Sequence, residues 1–308
     1  LLKQSQDLLK EINAQAGELN EPAEKVAANP LKVMTSLDAG KARYTFFIPN
    51  ASLAGVLYQG PVAPVQLIPA TGHGFFDATL PGTFTLKSKT ADSAEFVSRQ
   101  GALLITKKFT FSSDNGLNSL EITAENTSAK PQALAPWELR IGPGLDTVKS
   151  EQKDNAKLCV ADYTFAEEGR KHPTLKELKD DPAEHDWVWT GVNNRYFLAA
   201  LTGSNFSNTR PFKRSEQAGD NKKAPLLVVP MPGTQLVPGQ KVAWTSQCYL
   251  GPKDYPRLKK LGFGLDRAVD FGFFAPIAKL ANSSLVYFHK LTGNYGAAIV
   301  ILSILIQL

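Results

Sequence analysis

The sequence of 308 residues is poor in the residue patterns that build compact chemical sites. It has only two cysteines, too few for a disulfide scaffold, and its cysteines and four histidines show no zinc-ligand spacing. It contains no glycine-rich phosphate loop of the Walker or dinucleotide type. The net charge of +5 is too weak over the whole chain to indicate a nucleic-acid-binding protein. We therefore expect no metal, no cofactor and no nucleic-acid partner.

The chain is rich in apolar residues, at 43% of the total, which is enough for a large packed core and excludes a wholly disordered protein. Between residues 31 and 250, short runs of β-branched and aromatic residues are separated by turn signals such as Pro81-Gly82. Within one run Phe84 and Leu86 share a face and alternate with polar residues. The pattern predicts a mainly β fold with one large antiparallel sandwich over residues 31–250.

Positive charge is concentrated near the C-terminus, where residues 253–290 contain seven lysines and arginines against three aspartates. An apolar run follows from Tyr295 to Leu308. A helix that crosses a bilayer needs roughly 20 apolar residues, and this run has fewer. We interpret it as the first part of a transmembrane helix that continues beyond Leu308; a buried C-terminal core helix is the alternative.

An amphipathic helix is predicted over residues 268–291, because its apolar and polar residues separate onto opposite helical faces. A helix of this type directly before a membrane segment is suited to lie in the bilayer interface. The alternative is a helix packed on the β domain. The predicted membrane-interface residues are Ile277, Leu280, Tyr287, Phe288 and Leu291.

Few residues are candidates for catalysis. His73 lies between two glycines and could be a general base, but only Asp77 is nearby as a partner, so an ordinary loop histidine is the preferred interpretation. Trp187 and Trp189 alternate and share one face. They could stack on a sugar or a peptide, although paired aromatics of this kind are more typical of a sandwich core. We assign no catalytic residue and expect a protein that is not an enzyme.

Two other groups have open interpretations. Cys159 and Cys248 lie in strand-like runs and could pair in an oxidising compartment. We prefer buried free thiols, because nothing in the sequence shows that their Cα atoms approach within bridging distance. The acidic run at residues 180–186 matches no calcium-loop spacing and is interpreted as a solvated surface.

Three motifs near the C-terminus occur in a specific order and spacing: YLGPK at residues 249–253, LDRAVDFG at 265–272 and GNYG at 293–296. Together they resemble the YidC membrane protein insertase family. The stretch WTGVNNRYFLAAL, residues 189–201, resembles the same family more weakly. The motif residues carried over are Gly251, Pro252, Lys253, Asp270, Gly272, Gly293, Asn294, Tyr295 and Gly296.

The resemblance implies a galactose-mutarotase-like β-supersandwich in the periplasm, followed by an amphipathic interfacial helix and a truncated transmembrane helix. The implied domains are a helical or linker segment at 1–30, the periplasmic sandwich at 31–250, a basic linker and interfacial helix at 251–292, and the start of a transmembrane helix at 293–308. The implied location is the bacterial inner membrane, with residues 1–292 on the periplasmic side. Any targeting segment would lie upstream of Leu1.

The function implied by the resemblance is that of an insertase and chaperone, which helps newly made inner-membrane proteins insert and fold, alone or with the Sec translocon. The implied partners are nascent membrane proteins, Sec components and the lipid bilayer. The family carries an arginine in its hydrophilic groove, and counting from Gly293 places Gln307 at that position. The alternative function is a membrane-tethered carbohydrate-binding or mutarotase-like sandwich, which leaves the GNYG junction unexplained.

Overall fold

The computed structural model describes residues 34–69, 74–114, 116–202, 208–218, 223–269 and 275–307. The predicted lead-in segment at 1–30 lies outside these residues. The chain divides into two compact units, Leu1–Lys253 and Asp254–Leu308. The described part is mainly β, and the strand pairs found in it are antiparallel. The predicted fold class, a mainly β antiparallel sandwich, is confirmed.

The first unit contains nineteen strands and one short α-helix among its described residues. They are β1 (Met34–Ala39), β2 (Ala42–Phe47), β3 (Ser52–Gln59), β4 (Pro64–Gln66), β5 (Asp77–Ala78), β6 (Thr85–Lys89), β7 (Ser93–Gln100), β8 (Leu103–Thr110), β9 (Asn118–Asn126), β10 (Gln132–Leu134), β11 (Trp137–Ile141), α1 (Gln152–Leu158), β12 (Val160–Phe165), β13 (Thr174–Glu177), β14 (Trp187–Asn193), β15 (Phe197–Thr202), β16 (Phe212–Gln217), β17 (Lys223–Met231), β18 (Thr234–Leu236) and β19 (Lys241–Pro252).

The largest sheet has nine strands in the order β13-β12-β14-β15-β19-β9-β8-β7-β6. Two four-stranded sheets have the orders β1-β2-β3-β4 and β16-β17-β11-β5, and β10 pairs with β18. The long strand β19 lies near the middle of the largest sheet, where it pairs with β15 on one side and β9 on the other. This order places the end of β19 beside strands that are distant from it in the sequence.

The sheets pack through aromatic side chains. Phe46 of β2 lies with its ring centroid 5.2 Å from those of Phe96 in β7 and Phe109 in β8. Phe46 belongs to a four-stranded sheet and the other two residues to the nine-stranded sheet, and all three are buried in one continuous core. Phe84 is buried in the same core, as the alternation of its run predicts. Contacts of this type between two inner faces are what defines a β-sandwich.

The second unit is helical in its described residues. It contains α2 (Tyr255–Leu261), a short 3₁₀ turn (Leu265–Ala268), α3 (Ala275–Thr292) and α4 (Tyr295–Gln307). The helix predicted over residues 268–291 begins later than expected, because Ala268 closes the 3₁₀ turn and Val269 has an extended backbone. Pro276 occupies the first turn of α3, a position at which its missing N–H is tolerated. None of the described helices combines the length and the apolarity that a bilayer crossing requires.

Candidate functional site

The YLGPK motif closes strand β19, and its lysine fastens that end of the strand to the neighbouring turn. The Lys253 ammonium donates hydrogen bonds to Oδ1 of Asn193 and to the backbone carbonyl of Asn194, both at 2.7 Å. The backbone N–H of Lys253 donates to the carbonyl of Tyr196 at 2.7 Å. Three hydrogen bonds therefore fix the last residue of the first unit onto the turn between β14 and β15.

A buried carboxylate lies behind this contact. The side-chain amide of Asn193 donates to Oδ2 of Asp162 at 2.7 Å, and Asp162 is 7% exposed. Burial raises the pKa of Asp162 to about 6, although the Asn193 hydrogen bond and the charge of Lys253 act in the opposite direction. The negative charge of Glu177 raises this pKa further, and the positive charge of Lys213 lowers it. Lys253 and Asp162 thus form the two charged ends of one chain of hydrogen bonds.

Asn194 organises the same turn from the other side. Its side-chain oxygen accepts from the backbone N–H groups of Tyr196 and Phe197, at 3.0 and 2.9 Å. Its side-chain nitrogen donates to the carbonyl of Asp146 at 3.0 Å and to Oδ1 of Asn155 at 2.9 Å. Because one side chain satisfies backbone groups from two segments, it holds the β14–β15 turn and the α1 region in a fixed relation.

The glycine and proline of YLGPK are explained by close packing. The hydroxyl of the buried Tyr249 donates to the carbonyl of Pro252 at 2.6 Å. A Cβ atom added at Gly251 would lie 3.1 Å from Oη and 3.3 Å from Cζ of Tyr249, which is tighter than ordinary van der Waals contact. The motif therefore folds back on itself at the end of β19. We name Tyr249, Gly251, Pro252 and Lys253, with Asn193, Asn194 and Asp162, the motif junction.

The GNYG motif turns the chain between α3 and α4. Gly293 has a φ of +66°, and its N–H donates to the carbonyl of His289 at 2.8 Å, which is how glycine ends a helix. The side chain of Asn294 accepts from the N–H of Gly296 at 2.7 Å and so caps the start of α4. The rings of His289 and Tyr295 stack with centroids 3.7 Å apart. The motif thus ends one helix and begins the next.

The two helices α3 and α4 contact each other and expose many apolar side chains. Leu291 is 67% exposed and Tyr287 is 59% exposed, whereas Phe288 is half-buried. Apolar surface of this extent on one helix pair indicates an interaction with lipid or with another protein. We name the exposed set the apolar helix surface: Tyr287, Leu291, Tyr295, Ile299, Val300, Ile304 and Leu305.

Several predicted site residues fall outside the described part of the structure. Gln307 is the last residue of α4, and Ile277 and Leu280 belong to α3, but their side chains are outside the description. The other residues outside it are His73, Asp270 and Gly272. Their predicted roles stay predictions.

The aromatic and thiol candidates lie in the core of the sandwich. Trp187 and Trp189 are buried, as the preferred interpretation expects. Cys159 and Cys248 are both free thiols and both buried. Burial raises the pKa of each thiol, that of Cys248 to about 12, so neither is a reactive thiolate at neutral pH.

The acidic run at 180–186 forms ion pairs at the surface. Glu184 lies 2.7 Å from the ammonium of Lys176, and Asp186 pairs with Arg210. Within the described residues, no group of three potential ligands could hold a metal ion.

Sequence reasoning did not single out a second buried charge, Lys107. Its side chain is fully buried in β8, donates to the carbonyl of Phe76 and lies 5.3 Å from the centroid of the Phe109 ring. Burial lowers the pKa of Lys107 to about 7, while the charge of Asp77 raises it. The alternation of the strand could have identified this position. Lys107 is two residues from the core residue Ile105, so both side chains face the same side of the sheet.

Comparisons with known proteins agree on one family. The family model described as the YidC periplasmic domain matches residues 62–281. A protein named membrane protein insertase YidC from Endomicrobium trichonymphae is 37% identical over 230 residues, which are 73% of this chain and 42% of that protein. The protein of the same name from Syntrophus aciditrophicus is 32% identical over 258 residues, 80% of this chain and 44% of that protein. The chain thus spans about two fifths of the length of these curated relatives.

Among solved structures, the chain is similar to a galactose mutarotase related enzyme from Lactobacillus acidophilus, with a TM-score of 0.47 and 8% identity, over 71% of this chain and 97% of that one. A galactose mutarotase-like protein from Lactobacillus casei has a TM-score of 0.43 and 13% identity, over 71% of this chain and all of that one.

Proposed function

The chain belongs to the YidC periplasmic domain family, and from this premise we propose that it is the periplasmic portion of a membrane protein insertase and chaperone. The whole protein would help newly made inner-membrane proteins insert and fold, alone or with the Sec translocon. The observation that carries the proposal is the apolar helix surface on α3 and α4, C-terminal to the motif junction in the sequence.

The proposed location is the bacterial inner membrane, with residues 1–292 on the periplasmic side. In this arrangement α3 lies in the bilayer interface, and α4 is the first part of a membrane-spanning helix. Two observations support it: Tyr287 and Leu291 expose most of their apolar area, and Lys290 beside them is exposed for headgroup contact. Each Å² of such apolar surface that leaves water stabilises the membrane-bound state by about 25 cal/mol.

The proposed mechanism involves no covalent chemistry. A hydrophilic segment entering the bilayer leaves unpaired polar groups in hydrocarbon, and each costs several kcal/mol. A polar cavity open to the membrane lowers that cost by supplying hydrogen-bond partners. Gln307 is the residue of this chain that we propose to line the cavity, because an intramembrane polar side chain is expensive unless it faces one.

The position of Gln307 along α4 is compatible with this role. Counted from Asn294 at roughly 1.5 Å per residue, it lies about 20 Å along the helix axis. The hydrocarbon core is about 30 Å thick, so residue 307 would be within it. Glutamine donates and accepts hydrogen bonds without carrying a charge. It would hydrate the cavity but would not attract acidic substrate segments in the way an arginine does.

The test is insertion by the full-length protein of a substrate with a polar translocated segment. We expect Gln307→Leu to impair insertion more than Gln307→Arg does, because only the leucine removes hydrogen-bonding capacity. Ile304→Leu, an apolar exchange in the same helix, is the matched control and should insert normally. Equal insertion by Gln307→Leu and the unaltered protein would contradict the proposed role of this position.

The alternative, a tethered carbohydrate-binding or mutarotase-like sandwich, is not proposed. The two tryptophans that a sugar site would use, Trp187 and Trp189, are buried in the core and do not present their rings to solvent.

A further inference from the structure

The segment that follows the motif junction has an unusual backbone. Helix α2 ends at Leu261, and the next three residues, Gly262, Phe263 and Gly264, have φ values of +83°, +55° and +70°. The left-handed region is easy for glycine but rare for a bulky residue such as phenylalanine. This turn directs Phe263 outward, and its side chain is 40% exposed. A large apolar side chain is thus held in solvent by a conformation that it does not favour.

The segment has a buried side and an exposed side. Leu258 of α2 and Leu265 of the 3₁₀ turn are completely buried. Lys259 and Lys260, in the last turn of α2, are both exposed, and neither has an acidic neighbour in the sequence. The exposed residues of the segment therefore include one aromatic ring and two ammonium groups, side-chain types suited to the boundary between acyl chains and headgroups.

The charge of the segment favours a negative surface. Residues 254–269 contain four basic and two acidic residues. One of the acidic residues, Asp254, is engaged within the segment, since its side chain accepts from the N–H of Arg257 at the start of α2. Anionic lipid headgroups attract basic residues close to a membrane, and the effect fades within a Debye length.

The chain length to α3 limits how far the segment can be from the membrane. Only five residues separate Val269 from Ala275, and the fully extended chain between them spans at most about 22 Å. If α3 lies in the interface, as the proposed function holds, the C-terminal end of the segment at Val269 lies no farther than this from headgroup level. The chain therefore keeps the segment near the membrane.

From these observations we propose that Lys259, Lys260 and Phe263 form a second membrane contact, which binds anionic phospholipid headgroups and inserts the phenylalanine ring at their base. This inference rests on the proposed function, because it takes α3 to lie in the interface. It adds two features to the proposed function: the class of lipid that is bound, and a membrane contact separate from the apolar helix surface.

The test uses the full chain on vesicles of equimolar phosphatidylcholine and phosphatidylglycerol, and on vesicles of phosphatidylcholine alone. An environment-sensitive dye is attached to a single new cysteine, since both native thiols are buried. The three variants are Phe263→Cys for the inference, Leu291→Cys for the proposed function, and Val237→Cys as an exposed apolar position of the sandwich, 58% exposed. Emission and protection from an aqueous quencher are measured for each.

We expect the label at 263 to shift to the blue and become protected on anionic vesicles, and the label at 237 to remain in water. Adding Lys259→Gln and Lys260→Gln should weaken the docking of the segment about 30-fold, because each lysine contributes about a fivefold effect near an anionic surface. Lys130→Gln with Lys241→Gln removes the same charge from exposed sandwich positions and should leave the 263 label protected.

The failures are distinguishable. A label at 263 that stays in water while the label at 291 enters lipid overturns the inference and leaves the proposed function standing. A label at 291 that stays in water overturns the interfacial placement of α3 and the inference with it. Equal protection of the 263 label on neutral vesicles, or in the Lys259→Gln, Lys260→Gln variant, overturns the choice of anionic lipid.

Discussion

The ammonium group of Lys253 lies 2.7 Å from Oδ1 of Asn193, and the amide nitrogen of the same asparagine donates to the buried carboxylate of Asp162. The contact joins strands β19, β14 and β12, which are separated in sequence but neighbours or near neighbours in the nine-stranded sheet. The last residue of the sandwich is therefore anchored on a buried charge and not only on backbone hydrogen bonds. The point at which the chain leaves the sandwich is fixed accordingly.

Replacing Lys253 with methionine should destabilise the sandwich. The variant keeps the length of the side chain but leaves Oδ1 of Asn193 and the carbonyl of Asn194 without this donor, a loss of about 1–3 kcal/mol. Urea unfolding followed by tryptophan fluorescence measures it, because all four tryptophans belong to the sandwich. Lys241→Met, at the exposed start of the same strand, is the control and should change the free energy of unfolding by less than about 0.5 kcal/mol. Equal effects of the two changes would refute the anchoring role.

Asp162 makes stability depend on pH in a defined direction. Its folded pKa, about 6, is above the ordinary value of 3.8, so between these values the folded protein keeps a proton that the unfolded chain has released. Stability from this group therefore falls as pH rises from 4 to 6, and the full penalty is present above pH 6. Asp162→Asn should raise the free energy of unfolding at pH 7 by up to about 3 kcal/mol, and the gain should vanish near pH 4.

The control for this pH dependence is Asp180→Asn, which changes an exposed carboxylate of the same domain. It should change the free energy of unfolding at pH 7 by less than about 0.5 kcal/mol, whereas Asp162→Asn shows its full gain there. A destabilised Asp162→Asn variant at pH 7 would mean that the attraction between the Asp162 charge and Lys253 exceeds the cost of burying that charge.

Much of the sandwich could be predicted, because its strands and turns are specified by residues that are close together in the sequence. Alternating apolar residues and Pro-Gly turns specify strands without knowledge of their neighbours, as at Phe84. The GNYG turn is equally local, since glycine at a helix end and asparagine at a helix start each have a characteristic role. The sequence pattern predicts the start of α3 too early, because a helical pattern of apolar residues does not distinguish a 3₁₀ turn and an extended residue from a continuous helix.

The motif junction could not be derived in this way. Asp162 and Asn193 lie on strands buried along nearly their whole length, and such strands do not show which side chains face each other. Lys253 is 60 residues from Asn193, and only the order of the strands brings them together. Lys107 is a different case. Alternate residues of its strand are buried, and this alternation assigns Lys107 to a core position that a lysine does not usually occupy.

Lys107 should give stability a second pH dependence, of opposite sign to that of Asp162. Its folded pKa, about 7, is below the ordinary 10.5, so between these values the unfolded chain binds a proton that the folded protein does not. Stability from this group therefore rises with pH above 7, by at most about 1.4 kcal/mol per pH unit. In Lys107→Met this rise should be absent between pH 7 and 8.5, a range below the ordinary pKa values of 9.0 and 10.0 at which Cys248 and Tyr44 titrate in the unfolded chain.

The matched control is the next residue, since Lys108 lies on the same strand with its side chain exposed. Lys108→Met should retain the rise of the free energy of unfolding between pH 7 and 8.5. Should Lys107→Met retain it as well, the amine would be charged in the folded protein, and its pairing with Asp77 would outweigh its burial.

Gly251 and Tyr249 pack against each other in YLGPK and should be energetically coupled. Gly251→Ala places a methyl group 3.1 Å from the Tyr249 hydroxyl, and overpacking of this kind costs about 1–3 kcal/mol. Tyr249→Phe alone removes the hydrogen bond to Pro252 and costs about 1 kcal/mol. In the double variant the methyl group no longer meets the hydroxyl, so the combined cost should be smaller than the sum by at least about 0.5 kcal/mol. Urea unfolding of the four proteins measures this difference.

Gly239→Ala, at the turn before the opposite end of β19, should be additive with Tyr249→Phe, since no atom lies within contact of the added methyl. Additivity of Gly251→Ala with Tyr249→Phe would show that the hydroxyl does not restrict residue 251.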